Sequence, residues 1–266
     1  MTGIPMEIVD LKRDEESLYI CCLEDWSKEM KEAGPKKRQW YEKHKSKGLR
    51  VKLAKEGGRT GGMIQYLPTE ESFLEGGPGG YFILCIWVHG YKEGRGNFQG
   101  RGMGKALLKA AEQDVKELGG KYIAAWGISL PFWMRAKWFK KNGYKKIDKY
   151  KGAVLMWKSF SKDAEPPRWI REKMVPENIP GKVTVSAFVN GWCPAQNLVY
   201  ERAKRASKKF GDKVVFQEVD TSDKEVLKQT GLVNVFFVDG MPIKTGPPPS
   251  YEKIKKIIEK RVKKLK

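Results

Sequence analysis

The chain has 266 residues, with 52 Lys and Arg against 32 Asp and Glu, a formal net charge of +20. At 40% hydrophobic and 11% aromatic residues it can bury real cores, which excludes global disorder, and its length suits two domains. No apolar run reaches the ~18–20 residues of a membrane helix, and the opening MTGIPMEIVDLKRDEE lacks a signal-peptide core, so no membrane partner and a cytoplasmic location are expected.

Taken in chain order, residues 7–11 read as a short strand. A helix should follow with Leu18, Cys22 and Trp26 on one face, and more basic helical sequence runs to about Lys47. The stretches LRVKLAKEGG and GGMIQYLP read as two strands joined by a glycine turn. YFILCIWV, residues 81–88, is an unbroken apolar run of strand length, which suits a strand buried in mid-sheet. A polar glycine loop, FQGRGMG, then leads into a helix whose expected buried stripe is Leu107, Leu108, Ala111, Val115 and Leu118. GGKYIAAWGI is the next strand, FWMRAKWFKKNGYKKI a short helix ended by Asn142-Gly143, and AVLMWKSF a further strand.

Residues 161–182 carry four prolines and few aliphatics, which marks a linker. It separates a domain of residues 1–160 from one of residues 183–266. The second domain reads as strand KVTVSAFV, a helix with Leu198, Val199, Ala203, Ala206 and Phe210, strand KVVFQEVD, a short helix near 224–229, strand VNVFFVDG and a last helix carrying Ile254, Ile257, Ile258, Val262 and Leu265. The overall expectation is an α/β (α+β) protein.

Residues 181–266 hold 18 Lys and Arg against 9 Asp and Glu, so the positive charge is spread over both parts. Such a surface attracts polyanions, from nucleic acid to the phosphates of a nucleotide cofactor, and it also serves solubility. Of the four cysteines, Cys21 and Cys22 are adjacent and Cys85 and Cys193 stand alone, which is no disulfide framework. His44 and His89 are the only histidines, and no zinc-ligand spacing exists.

A strand, a glycine loop and a helix N-terminus together make an anion site, because the first N–H groups of a helix lack internal partners. Two phosphate motifs fail here. A Walker A loop needs glycine where Gln99 stands and Ser or Thr where Ala106 stands. The dinucleotide fingerprint needs glycine where Lys105 stands. The spacing Gln99-x-x-Gly102-x-Gly104 instead resembles the coenzyme A signature Q/R-x-x-G-x-G/A of the GNAT N-acetyltransferase superfamily. The apolar strand before it, the helix GKALLKAAE after it and the later stretch WFKKNGY extend the resemblance over roughly residues 6–160.

The resemblance implies a GNAT fold with a mixed central sheet and an acyl-CoA-dependent N-acyltransferase using acetyl-CoA. It implies that Gln99, Gly100, Arg101, Gly102, Met103, Gly104 and Lys105 hold the pyrophosphate, and that Ile86, Trp87 and Val88 pair with the pantetheine arm. The acceptor would be an amine of a small molecule or peptide. The chain departs from the pattern at two positions. Phe139 stands where a tyrosine often protonates the leaving thiolate, and Phe82 near where some members carry a glutamate base. Cys85 is the candidate nucleophile or substrate-side group, with core filling as its alternative. His89 lies just past the strand, where it would reach the cleft, and Tyr144 matches a packing aromatic.

AFVNGWCPAQN resembles the first strand and active-site turn of a thioredoxin-like domain, with Gln196 at the second cysteine position and no proline before the strand in TGLVNVFFVDG. Cys193 is thus a candidate reactive thiol for a thiol-bearing partner, or a buried residue of a redox-silent relative. The whole arrangement resembles the YoaP-type acetyltransferases. The other reading is a basic nucleic-acid-binding or adaptor protein on a catalytically degenerate acyltransferase fold, with GRGNFQGRG as an arginine–glycine loop.

Overall fold

The chain divides into two units, one made of residues up to Trp26 with Tyr41–Ile170 and the other of Ser27–Trp40 with the residues from Arg171 onward. The computed structural model describes residues 5–130, 133–243 and 247–265. Among them no helix is long and apolar enough to cross a membrane.

The first unit contains strands β1 (Met6–Asp10), β2 (Arg50–Glu56), β3 (Arg59–Pro68), β4 (Leu74–Glu75), β5 (Gly80–Val88), β6 (Tyr122–Ile128), β7 (Lys145–Tyr150), β8 (Ala153–Ser159) and β9 (Arg168–Trp169). Its helices are α1 (Glu16–Ile20), the end of α2 (Lys28–Lys45), α3 (Met103–Glu117) and α4 (Ala136–Lys141). Seven strands form one mixed sheet in the order β1-β2-β3-β5-β6-β8-β7, and β4 pairs with β9 in a small separate sheet. Only β5 and β6 run parallel within the large sheet, joined by the α3 crossover. The run YFILCIWV is β5, and α3 packs across β2, β3 and β5.

Met103, Leu107, Leu108, Ala111 and Val115 are the buried face of α3, set against Ile64, Tyr66, Ile83 and Ile86 of the sheet. Leu118, expected on that stripe, is 50% exposed, because it is the C-cap residue and the helix path ends there. The first expected helix is also shorter than its periodicity suggests. It stops after Ile20, because Cys22 and Leu23 take left-handed φ values of 50° and 65° and Leu23 turns into the core. Trp26 therefore lies off any helix. The stretch FWMRAKWFKKNGYKKI holds only the six-residue α4, then β7, while Phe132 at its start lies outside the described residues. Asn142-Gly143 does end α4, with Gly143 at a φ of 89°.

The second unit contains β10 (Val183–Val189), α5 (Pro194–Lys208), β11 (Val214–Asp220), α6 (Lys224–Thr230), β12 (Val235–Val238), β13 (Met241–Ile243) and α7 (Tyr251–Val262). Its sheet order is β11-β10-β12-β13, with β10 and β11 parallel and the other pairs antiparallel. Val199, Ala203 and Ala206 of α5 and Ile254 and Ile258 of α7 pack on Val183, Val185 and Ala187 of β10. The α2 segment of this unit is tied to α5 and β11 by Glu29–Arg202, Glu32–Arg205 and Lys36–Glu218 ion pairs.

Candidate functional site

The site begins where β5 and β6 part. Their pairing ends at Ile83 and Ala125, so residues 84–88 of β5 have no strand neighbour on that side. On the other side, β3 pairs along β5 with a bulge: Gln65 faces Cys85 and Tyr66 faces Ile83, leaving Leu84 as the extra residue. Ile86 and Val88 project into a cleft of about 220 Å³ whose other walls are Gly104, Met134, Arg135 and Trp138. Strand end, helix start and the segment before α4 thus meet in one place.

The loop between β5 and α3 is folded back on the strand end. Phe98 N–H donates to His89 O at 2.9 Å, and His89 N–H donates to Gly61 O at 2.9 Å. The Gln99 amide donates to Val88 O at 3.3 Å and rests on Gly90, where a Cβ would lie 2.3 Å from Gln99 Nε2. Gly100 and Gly102 have φ of 79° and 84°, a region that L side chains rarely adopt, and nothing lies within 4 Å of a Cβ at either. Gly102 is the N-cap of α3. It supplies no side-chain cap, and the first turn holds no acidic residue. Its carbonyl accepts from Lys105 and Ala106 N–H. The unpartnered donors of the first turn and the helix dipole therefore face outward without a carboxylate to compete for them. Lys105 is exposed beside them, whereas Arg101 is paired with Glu56 at 2.5 Å and donates to Asn97 O at 3.0 Å.

The other residues singled out from the sequence separate from this cleft. Cys85 is 4% exposed and lies within electrostatic reach of Tyr19, which donates to Gln65 Oε1 at 2.6 Å. Burial, then the nearby Cys22, Cys85 and Tyr41, push the Tyr19 hydroxyl well above its usual range. Cys85 does not line the cleft that Ile86 and Val88 line. Trp87 is half-buried and its ring lies 6.2 Å from that of Tyr91. Met103 is buried in the core.

His89 does not reach the cleft. It is fully buried, its Nδ1–H donates to Gly96 O at 2.8 Å, and its Nε2 accepts from Trp26 Nε1 at 3.3 Å, so both ring nitrogens are committed to holding the loop. Phe139 and Phe82 are both fully buried aromatics, the first edge-on to Tyr144 and the second to Phe73 and Trp169. Tyr144 is the packing residue expected.

Cys193 is the N-cap of α5 with Pro194 after it, and its carbonyl accepts from Gln196 and Asn197 N–H. It is 9% exposed. Gly191 beside it lies against α2: a Cβ there would stand 3.2 Å from Lys36 O and from Trp40 Cβ.

Sequence reasoning missed Trp126, Trp133, Met134, Arg135 and Trp138 as parts of the site. Trp126 Nε1 donates to Leu84 O at 2.7 Å and Trp133 Nε1 to Ile86 O at 3.1 Å. Their only sequence signal is aromatic density, which buried helices share.

Among known proteins, a family model described as Acetyltransferase (GNAT) family matches residues 9–144. Similar solved structures include the PaiA N-acetyltransferase of Thermoplasma acidophilum in complex with coenzyme A. It is 18% identical, covering 59% of this chain and 99% of that one, with a TM-score of 0.42. A GNAT family acetyltransferase of Brucella melitensis in complex with acetyl-CoA is 17% identical, covering 62% and 96%, with a TM-score of 0.42. PH1933 of Pyrococcus horikoshii OT3 is 22% identical, covering 58% and 98%, with a TM-score of 0.44. No curated protein matches the chain.

Proposed function

Because the chain belongs to the acetyltransferase (GNAT) family, we propose that it transfers an acyl group from acetyl-CoA, the cofactor of that family, to an amine of a small molecule or peptide. The observation that carries the reading is the uncapped N-terminus of α3, opened by two left-handed glycines and facing the parted half of β5. Acetyl-CoA when bound supplies an activated acyl group as a thioester. The residues fit it: N–H groups around Gly100–Lys105 hold the pyrophosphate, with Gln99 fixing the loop and Lys105 adding charge, and Ile86–Val88 line the arm's path. Arg101 braces the loop through Glu56, and Met103 anchors the helix start in the core.

Phe139 and Phe82 have no proton to move, so in this reading neither serves as acid or base, and the part assigned to the cleft is alignment of the thioester. We read Cys85, on the face of β5 opposite Ile86, as a substrate-side group, with core filling as its alternative. The second unit is read as an accessory, thioredoxin-like domain of the YoaP type. The order β11-β10-β12-β13 and a cysteine at the start of the helix that follows β10 support this. In that reading Cys193 captures a thiol-bearing partner.

Calorimetry with CoA on Gly102→Asn and Gly102→Asp tests the donor site. Both side chains tolerate the left-handed region, so the pair isolates charge. Asp is expected to bind CoA at least about tenfold more weakly than Asn, through repulsion of the pyrophosphate at the helix N-terminus. Equal affinities would sink the assignment. Absence of CoA binding in the wild type, with steeply salt-dependent binding to polyanions, would favour the nucleic-acid reading.

A further inference from the structure

The parted half of β5 is an open strand edge, and such an edge invites another extended chain to pair with it. Alternate residues of a strand point their carbonyls the same way. Along this edge, three alternate carbonyls each accept from a side chain of a different segment. Leu84 O takes Trp126 Nε1 at 2.7 Å, Ile86 O takes Trp133 Nε1 at 3.1 Å, and Val88 O takes Gln99 Nε2 at 3.3 Å. The protein thus closes with side chains the edge that β6 leaves open.

These donors come from differently built parts of the chain. Trp126 belongs to β6, and Gln99 to the glycine loop. Trp133 comes from the connection between β6 and α4, is half-buried, and rests edge-on against Trp126 with ring centroids 5.0 Å apart. Its neighbour Met134 has a left-handed φ of 53°, a conformation that L side chains rarely adopt. Met134 O accepts from Ile128 N–H at 2.8 Å, which holds the connection against the end of β6. Met134 also lines the cleft.

We propose that Trp133 is a displaceable stand-in for the pantetheine arm, occupying the Ile86 carbonyl until an arm amide N–H takes its place. The inference rests on the acyl-CoA reading of the cleft. An arm lying along Ile86–Val88 needs the strand's hydrogen-bonding groups, and the central carbonyl is the one held by the connecting segment. Trp133 is therefore a positioning residue: it keeps the edge ordered without ligand, and its release couples arm binding to movement of Met134. The left-handed turn at Met134 is the strained point from which that release starts.

Calorimetry with CoA and with adenosine 3′,5′-bisphosphate, which has the nucleotide but no arm, on wild type and Trp133→Phe separates the claims. Phenylalanine keeps a ring and loses the N–H. Trp133→Phe is expected to bind CoA about 3- to 10-fold more tightly, the worth of one released hydrogen bond, and to bind the bisphosphate as the wild type does. Unchanged CoA affinity, or an equal change for both ligands, overturns the role of Trp133 and leaves the donor site standing. Failure of the wild type to bind either ligand overturns the donor site and the inference together. A second measurement needs no tolerant variant. The Trp133 indole N–H resonance, assigned through its contact with the Trp126 ring, should move with CoA and stay with the bisphosphate. A resonance unmoved by saturating CoA overturns the inference.

Discussion

At the scale of single residues, Asp114 is the clearest case of a polar group kept inside for a reason. It sits on the buried face of α3, where Arg50 holds it in a two-pronged pair at 2.9 and 2.6 Å, Lys52 approaches at 3.1 Å and the Tyr66 hydroxyl donates at 2.6 Å. Burial alone would raise the carboxyl, but the hydrogen bonds from Arg50, Tyr66 and Lys52 outweigh it and hold Asp114 at about 2. Burial first, then the adjacent carboxylate, push the Tyr66 hydroxyl upward. The folded value lies below the unfolded one, so the stabilisation is present above about pH 4 and is lost as pH falls through about 2. It amounts to roughly 2 kcal/mol. Asp114→Asn is expected to destabilise the protein by about 2–4 kcal/mol at pH 7, because it takes the buried counter-charge from Arg50 and leaves Lys52 only the exposed Asp10 at 2.7 Å. Its stability should also change less between pH 4 and 2 than that of the wild type. Denaturant titrations at pH 7, 4 and 2 check both statements; a wild-type stability at pH 7 would show that the network holds nothing.

At the scale of elements, the spacing between α3 and α4 sets the width of the cleft beside β5. A Cβ on Gly104 would meet Val88 Cγ2 at 3.7 Å and Trp138 at 3.8 Å, which is ordinary contact. Gly104→Ala should therefore fold at least as well as the wild type, with a gain of up to about 1 kcal/mol from helix propensity. Gly104→Leu fills the cleft, and its CoA affinity is expected to fall at least about tenfold while its melting temperature stays near that of Gly104→Ala. Thermal melts with calorimetry decide the matter. Unchanged affinity in the leucine variant would mean that the arm takes another path.

At the scale of the whole molecule, all four cysteines are thiols, and their burial sorts them. Cys22 is only half-buried, Cys21 and Cys193 are each 9% exposed and Cys85 is 4% exposed. Iodoacetamide labelling of the native protein, resolved by peptide mass spectrometry, should modify Cys22 first, Cys21 and Cys193 next and Cys85 last. The segment Ser27–Trp40 bears on the second step, since it belongs to the unit of Cys193 and packs beside Gly191. If Cys193 labels only on global unfolding, it is a packing residue and its role toward a thiol partner falls.

The sequence by itself determined the elements whose signal is local. The apolar run of β5, the glycine loop and the amphipathic face of α3 follow from propensity, backbone freedom and period, and together they made the proposed donor site legible. Asn142-Gly143 ended α4 for the same reason. Tertiary packing decided what local pattern cannot carry. The stripe of α3 ended at Val115 because Leu118 fell on the cap, and His89 turned inward because Gly96 and Trp26 supplied partners for both its nitrogens. Ser27–Trp40 joins the second unit from far upstream, burying Ala33 and Trp40 and pairing with Arg202, Arg205 and Glu218, charges that read in the sequence as a solvated surface. Trp126 and Trp133 became part of the site only because β5 and β6 diverge after Ile83, and a carbonyl left without a strand partner takes the nearest donor that folding brings to it.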